Sequence, residues 1–134
     1  MELNTDAAVD ERWYDGVAAE IRSKLRPCDE GAVWVLFADE CRVVQMAMAI
    51  EPDGTELGAL EYDSLTQVIG DVDAPTVLIA VPRADGIPFA SDWRLWEEMR
   101  GRLEALTRSE LIDLVVVGAE SWWAVIGRWP DRAS

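Results

Sequence analysis

The sequence predicts an α/β (α+β) domain, a mixed β-sheet flanked by helices with its elements in the order α-β-β-α-β-α-β-β. Three observations lead there. The unbroken run Thr76-Val-Leu-Ile-Ala-Val81 is almost wholly β-branched or aliphatic, which is the pattern of a central strand buried on both faces. Val9, Trp13, Val17, Ile21 and Leu25 recur every fourth residue with Asp10, Glu11, Asp15 and Glu20 between them, the signature of an amphipathic helix. A length of 134 residues, 50% hydrophobic and 28% charged, suits one folded domain with one core.

The first helix is predicted over Ala7 to Leu25, with Pro27 ending it. Two strands follow, Ala32 to Phe37 and Arg42 to Ala49, both rich in Val, aromatic, Met or Ile residues. The short polar link Ala38-Asp39-Glu40 makes them an antiparallel hairpin. Pro52-Asp53-Gly54 has the φ preferences of a turn. A second helix is predicted within Leu60 to Ile69 on the strength of Leu65, Val68 and Ile69, ending at Gly70. After the central strand, the loop from Pro82 to Ala90 leads to Ser91 and Asp92, either of which is suited to cap the next helix. That helix runs from about Asp92 to Leu106 and keeps Trp96, Met99, Leu103 and Leu106 on one face. Two last strands, Leu111 to Val117 and Ser121 to Ile126, are joined by Gly118-Ala119-Glu120. No internal repeat or linker interrupts the chain, so residues 1–134 read as one domain.

Charge and composition exclude more than they identify. Twelve Lys and Arg against 26 Asp and Glu give a net charge of -14, and the field of such a surface repels a phosphate backbone. Direct nucleic-acid binding is not expected. Residues 1–75 carry a net charge of -12, and no Lys or Arg occurs from Val43 to Pro82, where Glu51, Asp53, Glu56, Glu61, Asp63, Asp71 and Asp73 fall. This run reads either as an acidic face for a basic partner or as an ordinary solvated surface; eleven Arg to one Lys fits a compositional habit. No apolar window reaches the length of a membrane span, and the acidic start does not resemble a secretory signal, so a cytoplasmic location is expected. Cys28 and Cys41 form neither a disulfide framework nor a CxxC motif. The chain has no histidine, which removes histidine general bases and zinc-histidine sites together. No G-x-S-x-G, P-loop or dinucleotide fingerprint is present.

Seven tryptophans are many for a core of this size. Trp13, Trp34, Trp93 and Trp96 fall on core or near-core positions. Trp122 and Trp123 are neighbours on a strand and therefore point to opposite faces. One of them is a candidate partner surface, unless the tail around Trp129-Pro130 covers it.

The segment from Ala80 to Val125 resembles the JAB/MPN metalloprotease-like fold (cytidine deaminase-like), and within it the RadC family. The residues that carry the resemblance are the strand Thr76 to Val81, the loop Gly86-x-Pro88-x-x-Ser91, the following helix, and Leu111-Ile-Asp-Leu-Val-Val-Val-Gly118 before an aromatic strand. It implies an N-terminal helix over 1–27, a JAB/MPN-like core over 28–128 and a tail over 129–134. It also places Glu30 near the family's acid-base glutamate. Alignment on Gly86 and Ser91 puts Val81 and Arg83 at the two histidine positions and Arg94 at the aspartate position. Valine has no donor atom and guanidinium no lone pair, so no zinc-bound hydroxide forms on this set. A shift of one or two residues would instead bring Asp92 to the carboxylate position.

The resemblance therefore implies a metal-free, cofactor-free pseudoenzyme. Glu30, Val81, Arg83, Ser91 and Arg94 would line a vestigial cleft. The two arginines there either bind a small anion, as arginine forks can, or close an internal salt bridge with Glu30. The function expected first is a non-catalytic protein-binding or regulatory module, with another protein or a second copy of the chain as partner. One alternative is an acidic inhibitor or nucleic-acid mimic that binds a basic partner. Another is an enzyme acting on an anionic substrate through Glu30, Arg83 and Arg94.

Overall fold

The structure is a computed structural model, and it describes residues 11–24, 32–50, 59–83, 87–119 and 121–126. In chain order the described elements are α1 (Glu11–Lys24), β1 (Val33–Ala38), β2 (Val44–Ile50), α2 (Ala59–Val72), β3 (Thr76–Pro82), α3 (Ala90–Leu106), β4 (Glu110–Val117) and β5 (Trp122–Ala124). The five strands form one mixed sheet in the order β2-β1-β3-β4-β5. β1 runs antiparallel to both β2 and β3, β3 and β4 are parallel, and β5 is antiparallel to β4. A hairpin is thus joined to a β3-α3-β4 crossover unit, the one place where a parallel pair requires a long connection.

Burial follows this order. All residues of β1 and β3 are buried, as their unbroken apolar sequences require, whereas the edge strand β2 has only half-buried and exposed positions. α1 covers one face of the sheet. Its Tyr14, Val17, Ala18 and Ile21 pack on Trp34, Leu36, Leu78, Ala80, Val115, Val117, Trp122 and Ala124. α2 and α3 cover the other face, where Leu65, Ile69, Leu95, Trp96, Met99 and Leu103 meet Val35, Phe37, Val77, Ile79, Val81, Leu114 and Val116. Truncating a fully buried member such as Ile21 or Ile69 to alanine removes about 2–5 kcal/mol of stability.

The structure departs from the sequence reading in several details: α2 runs through Gly70 to Val72 instead of ending at Gly70, and Leu106, expected on the apolar face of α3, is exposed. The buried stripe of α1 is built on Tyr14 rather than Trp13; Trp13 is half-buried and donates its indole N–H to the carbonyl of Arg42 at 3.0 Å. The last strand is short, Trp122–Ala124, because the backbone turns at Val125 and Ile126. The cap of α3 is neither Ser91 nor Asp92 but Phe89, and Asp92 stands three residues inside, accepting the Phe89 N–H at 2.7 Å. An acidic side chain in the first turn satisfies one of the amides that a helix start leaves free.

One irregularity organises the α1 face. Val77 pairs with Leu111 and Ile79 with Leu114, so the single residue Leu78 of β3 lies opposite two of β4, Ile112 and Asp113. The bulge breaks the strict alternation of a strand. Asp113 is fully buried within it, and its carboxylate reaches α1, accepting the Tyr14 hydroxyl at 2.6 Å. It also accepts the backbone N–H groups of Leu114 at 2.7 Å and Ile126 at 3.0 Å. A buried carboxylate is tolerated where donors surround it. Around this centre, Tyr14 stacks on Trp122 at 4.6 Å, Trp122 donates to Asp15 at 2.7 Å, and Arg22 donates to the carbonyls of Gly118 and Ser121. The phenol of Tyr14 is pushed well above the ordinary tyrosine range, chiefly by burial and then by its hydrogen bond to Asp113 and that carboxylate's charge, with Arg42 acting in the opposite sense.

Candidate functional site at the end of β3

In a β-α-β crossover, side chains at the carboxyl end of the first strand face the amino end of the following helix, a common position for ligand sites. Here that position is occupied by Val81, Arg83 and Asp92. Val81 is buried in the core beneath α2 and α3. Two residues on, at the end of the strand, the Arg83 N–H holds the Val117 carbonyl at 2.9 Å. Its guanidinium meets Asp92 with both forks: Nη1 binds Oδ2, and Nη2 binds Oδ1 at 2.9 Å. The same guanidinium lies 3.9 Å from the centroid of the Phe89 ring and donates to the Ile87 carbonyl at 3.3 Å. The Asp92 side chain is 4% exposed and that of Arg83 18%.

This is a closed pair. A bidentate Arg–carboxylate contact neutralises both charges and uses the fork that would otherwise grip a carboxylate or phosphate. Asp92 also holds the N-terminus of α3 through the Phe89 amide, so the pair fastens strand, loop and helix to one another. The donor set does not fit a zinc ion: Val81 has no donor atom, Arg83 has no lone pair, and the Asp92 oxygens are already bonded. Among the described residues no group of three or more His, Cys, Asp or Glu side chains is arranged to hold a metal.

The other sequence-predicted site residues are placed as follows. Arg94 lies on the exposed side of α3. Two helical steps turn it about 200° from Asp92, away from Arg83. Ser91 is half-buried in the first turn of the same helix. Glu30 lies outside the described residues, as do Glu51, Asp53 and Glu56. The structure therefore brings Arg83 together with Asp92 and the core residue Val81, and leaves Arg94 apart.

No protein-family model matches the chain, and no curated protein matches it.

On the candidate partner surfaces the structure is specific. Trp122 is internal, 5% exposed under α1, because its face of the sheet is the one α1 covers. Trp123, on the opposite face, is half-buried. Among the acids, Glu61 and Asp63 belong to α2; Asp63 bonds Arg102, and Asp73 bonds Arg108 at 2.8 Å. Arg102 also binds Glu98 at 2.9 Å, and Glu98 and Asp63 hold its proton more firmly than usual. Part of the acidity of α2 is thus answered by arginines of α3 and the segment after it. Asp71 is exposed. A separate groove of ≈ 820 Å³, lined by Trp93, Trp96, Arg100, Leu111 and Val125 among others, lies along α3 and does not include Arg83 or Asp92. No described helix is long and apolar enough to cross a membrane.

Sequence reasoning missed the Tyr14–Asp113 centre. The signal available was a lone acid inside Leu111-Ile-Asp-Leu-Val-Val-Val, an otherwise apolar strand, where an ionisable group must find donors or be expelled.

Proposed function

We propose that the chain is a non-catalytic, metal-free JAB/MPN-like domain that acts as a protein-binding or regulatory module. The observation that carries this reading is the closed Arg83–Asp92 pair, at the place where the resemblance puts a metalloprotease's ligands. Under the resemblance Arg83 falls at a histidine position, and an alignment shifted by one or two residues brings its partner Asp92 to the carboxylate position in place of Arg94. On this reading an internal ion pair, in place of a dication, fastens the end of β3 to the start of α3. The reading of an enzyme working through Glu30, Arg83 and Arg94 is less well supported, because the fork of Arg83 is committed to Asp92 and Arg94 points elsewhere. The acidic-mimic reading is weakened by the internal pairing of Asp63 and Asp73.

The test is to return the missing imidazoles. In the double variant Val81→His/Arg83→His, with Asp92 unchanged, the expected result is uptake of one zinc ion, measured by competition with a chromophoric chelator. The unaltered protein should take up none at the same concentration. A double variant that keeps its circular dichroism spectrum but takes up no zinc would remove the JAB/MPN reading.

A further inference from the structure

Tyr14 stands between two indoles. The Trp13 ring meets it edge-on with centroids 5.1 Å apart, and the Trp122 ring stacks on it at 4.6 Å, so the three rings are in contact range. Tyr14 and Trp122 are each 5% exposed, and Trp13 is half-buried. The polar tips of Trp13 and Tyr14 have chemically different partners. The indole N–H of Trp13 binds the Arg42 carbonyl at 3.0 Å. A peptide carbonyl is no base at neutral pH, so an indole that gives up an electron here does not pass its proton to that partner. The hydroxyl of Tyr14 binds Oδ2 of Asp113 at 2.6 Å, while Oδ1 accepts the Leu114 and Ile126 amides. Both oxygens of the fully buried carboxylate are acceptors, and one of them faces the phenolic proton. An electron and a proton can leave this ring together, in different directions.

We propose that Tyr14 is a one-electron redox site, which takes over through Trp13 the oxidising equivalent of a small diffusible radical while its hydroxyl proton passes to Asp113. The radical removes one electron from Trp13 and departs as its anion, leaving Trp13 a radical cation with its N–H intact. One electron then moves from Tyr14 to Trp13, the Tyr14 O–H bond breaks, and an O–H bond forms on Oδ2 of Asp113. The products are neutral Trp13, a neutral phenoxyl radical and a neutral carboxylic acid. A phenol that loses electron and proton together never forms its strongly acidic radical cation, and it is oxidised more readily than an indole that keeps its proton. Transfer to a positioned base accelerates such steps, and partners already in contact have no search to make. A reductant of the ascorbate class returns one electron, and the proton goes back from Asp113 to the phenolic oxygen. The half-buried indole is thereby spared irreversible oxidation, and the spin rests on a ring walled in by Trp122 and the sheet. This activity is independent of the protein-binding reading above.

The experiment uses the full chain at neutral pH, with azidyl radicals made by pulse radiolysis as the probe. They attack indoles far faster than protonated phenols, and Tyr14 holds its proton more firmly than an ordinary tyrosine. The indolyl absorption should decay as the tyrosyl absorption grows, at a rate independent of protein concentration. Tyr14→Phe should abolish this growth, Tyr62→Phe, at the chain's other tyrosine, should leave it in place, and Trp13→Phe should remove its fast phase. Asp113→Asn should slow it about a hundredfold. If that variant loses its near-ultraviolet circular dichroism, the unaltered protein decides instead, and its growth should be slower in heavy water. Ascorbate added afterwards should erase the tyrosyl band. Absence of tyrosyl growth, its survival in Tyr14→Phe or its loss in Tyr62→Phe would overturn the assignment. So would a fast phase that persists in Trp13→Phe, an unchanged rate in folded Asp113→Asn or in heavy water, or a tyrosyl band indifferent to ascorbate.

Discussion

Replacing Tyr14 by phenylalanine removes one oxygen from the buried centre between α1 and β4 and leaves the ring. The hydroxyl donates to Asp113 at 2.6 Å, beside the Leu114 and Ile126 amides, and the carboxylate is fully buried. A hydrogen bond to a charged acceptor contributes about 1.5–3 kcal/mol, and an unpaired buried acceptor pays its own desolvation. Because Leu114 and Ile126 still donate, the loss should sit toward the lower end, about 1.5–2 kcal/mol. For a chain of this length that corresponds to a fall in melting temperature of roughly 5–8 °C. Urea unfolding followed by tryptophan fluorescence measures it. The near-ultraviolet circular dichroism should persist, since the stacking of the residue-14 ring on Trp122 does not need the hydroxyl. Combination with Asp113→Asn in a double-mutant cycle should show a coupling of about 1 kcal/mol or more. A loss under about 0.5 kcal/mol, or additivity of the two substitutions, would show that the short contact does not hold α1 to the sheet and would refute the argument.

The same contact has a pH signature. Folding raises the Tyr14 pKa, so its contribution is complete below the ordinary tyrosine value near 10 and is lost as pH climbs from there toward the folded value; the stability difference between the protein and Tyr14→Phe should narrow only above about pH 10, as equilibrium unfolding between pH 7 and 11 would show. Arg83→Ala leaves Asp92 with the Phe89 amide as its remaining described donor, and a cost of about 1–2 kcal/mol is expected after allowance for the partial exposure of the guanidinium. Arg83→Lys should recover only part of this loss, because an ammonium cannot reproduce the two-pronged contact; equal stabilities of the alanine and lysine variants and the parent would show that the pair holds nothing in place.

Elements buried on both sides were the easiest to read. Thr76 to Val81 announces β3 by an uninterrupted apolar run, and the observed strand adds only Pro82. The four-residue spacing of Val9 to Leu25 locates α1, but steps of four drift along a helix of 3.6 residues per turn. The buried face therefore shifts to Tyr14, Val17, Ala18 and Ile21. Sheet order and the place of β1 between β2 and β3 depend on pairings that local pattern does not encode. Asp113 was illegible for a different reason: a bulge defeats the alternation on which any reading of a strand depends. At the candidate site, the sequence located Arg83 but not its partner. Arg94 and Asp92 lie two residues apart on one helix, and only the register of α3 against β3 determines which of them meets the guanidinium. Chain separation hides the Tyr14–Asp113 bond in the same way.

The clasp on α1 also sets an order of events during synthesis. Tyr14 waits for Asp113, Arg22 for Gly118 and Ser121, and Asp15 for Trp122, partners 96 to 107 residues further along. Apart from the bond of Trp13 to the Arg42 carbonyl, the first described helix to leave the ribosome is thus among the last to find its bonds, and until β4 and β5 emerge its apolar stripe has only β1 and β3 to lie against. Contacts of such long range slow folding, because loop closure must precede their reward. A nascent chain stalled before residue 113 should therefore hold the hairpin and the β3 segment with α1 only partly docked, open to chaperones and proteases for as long as the remaining strands take to arrive.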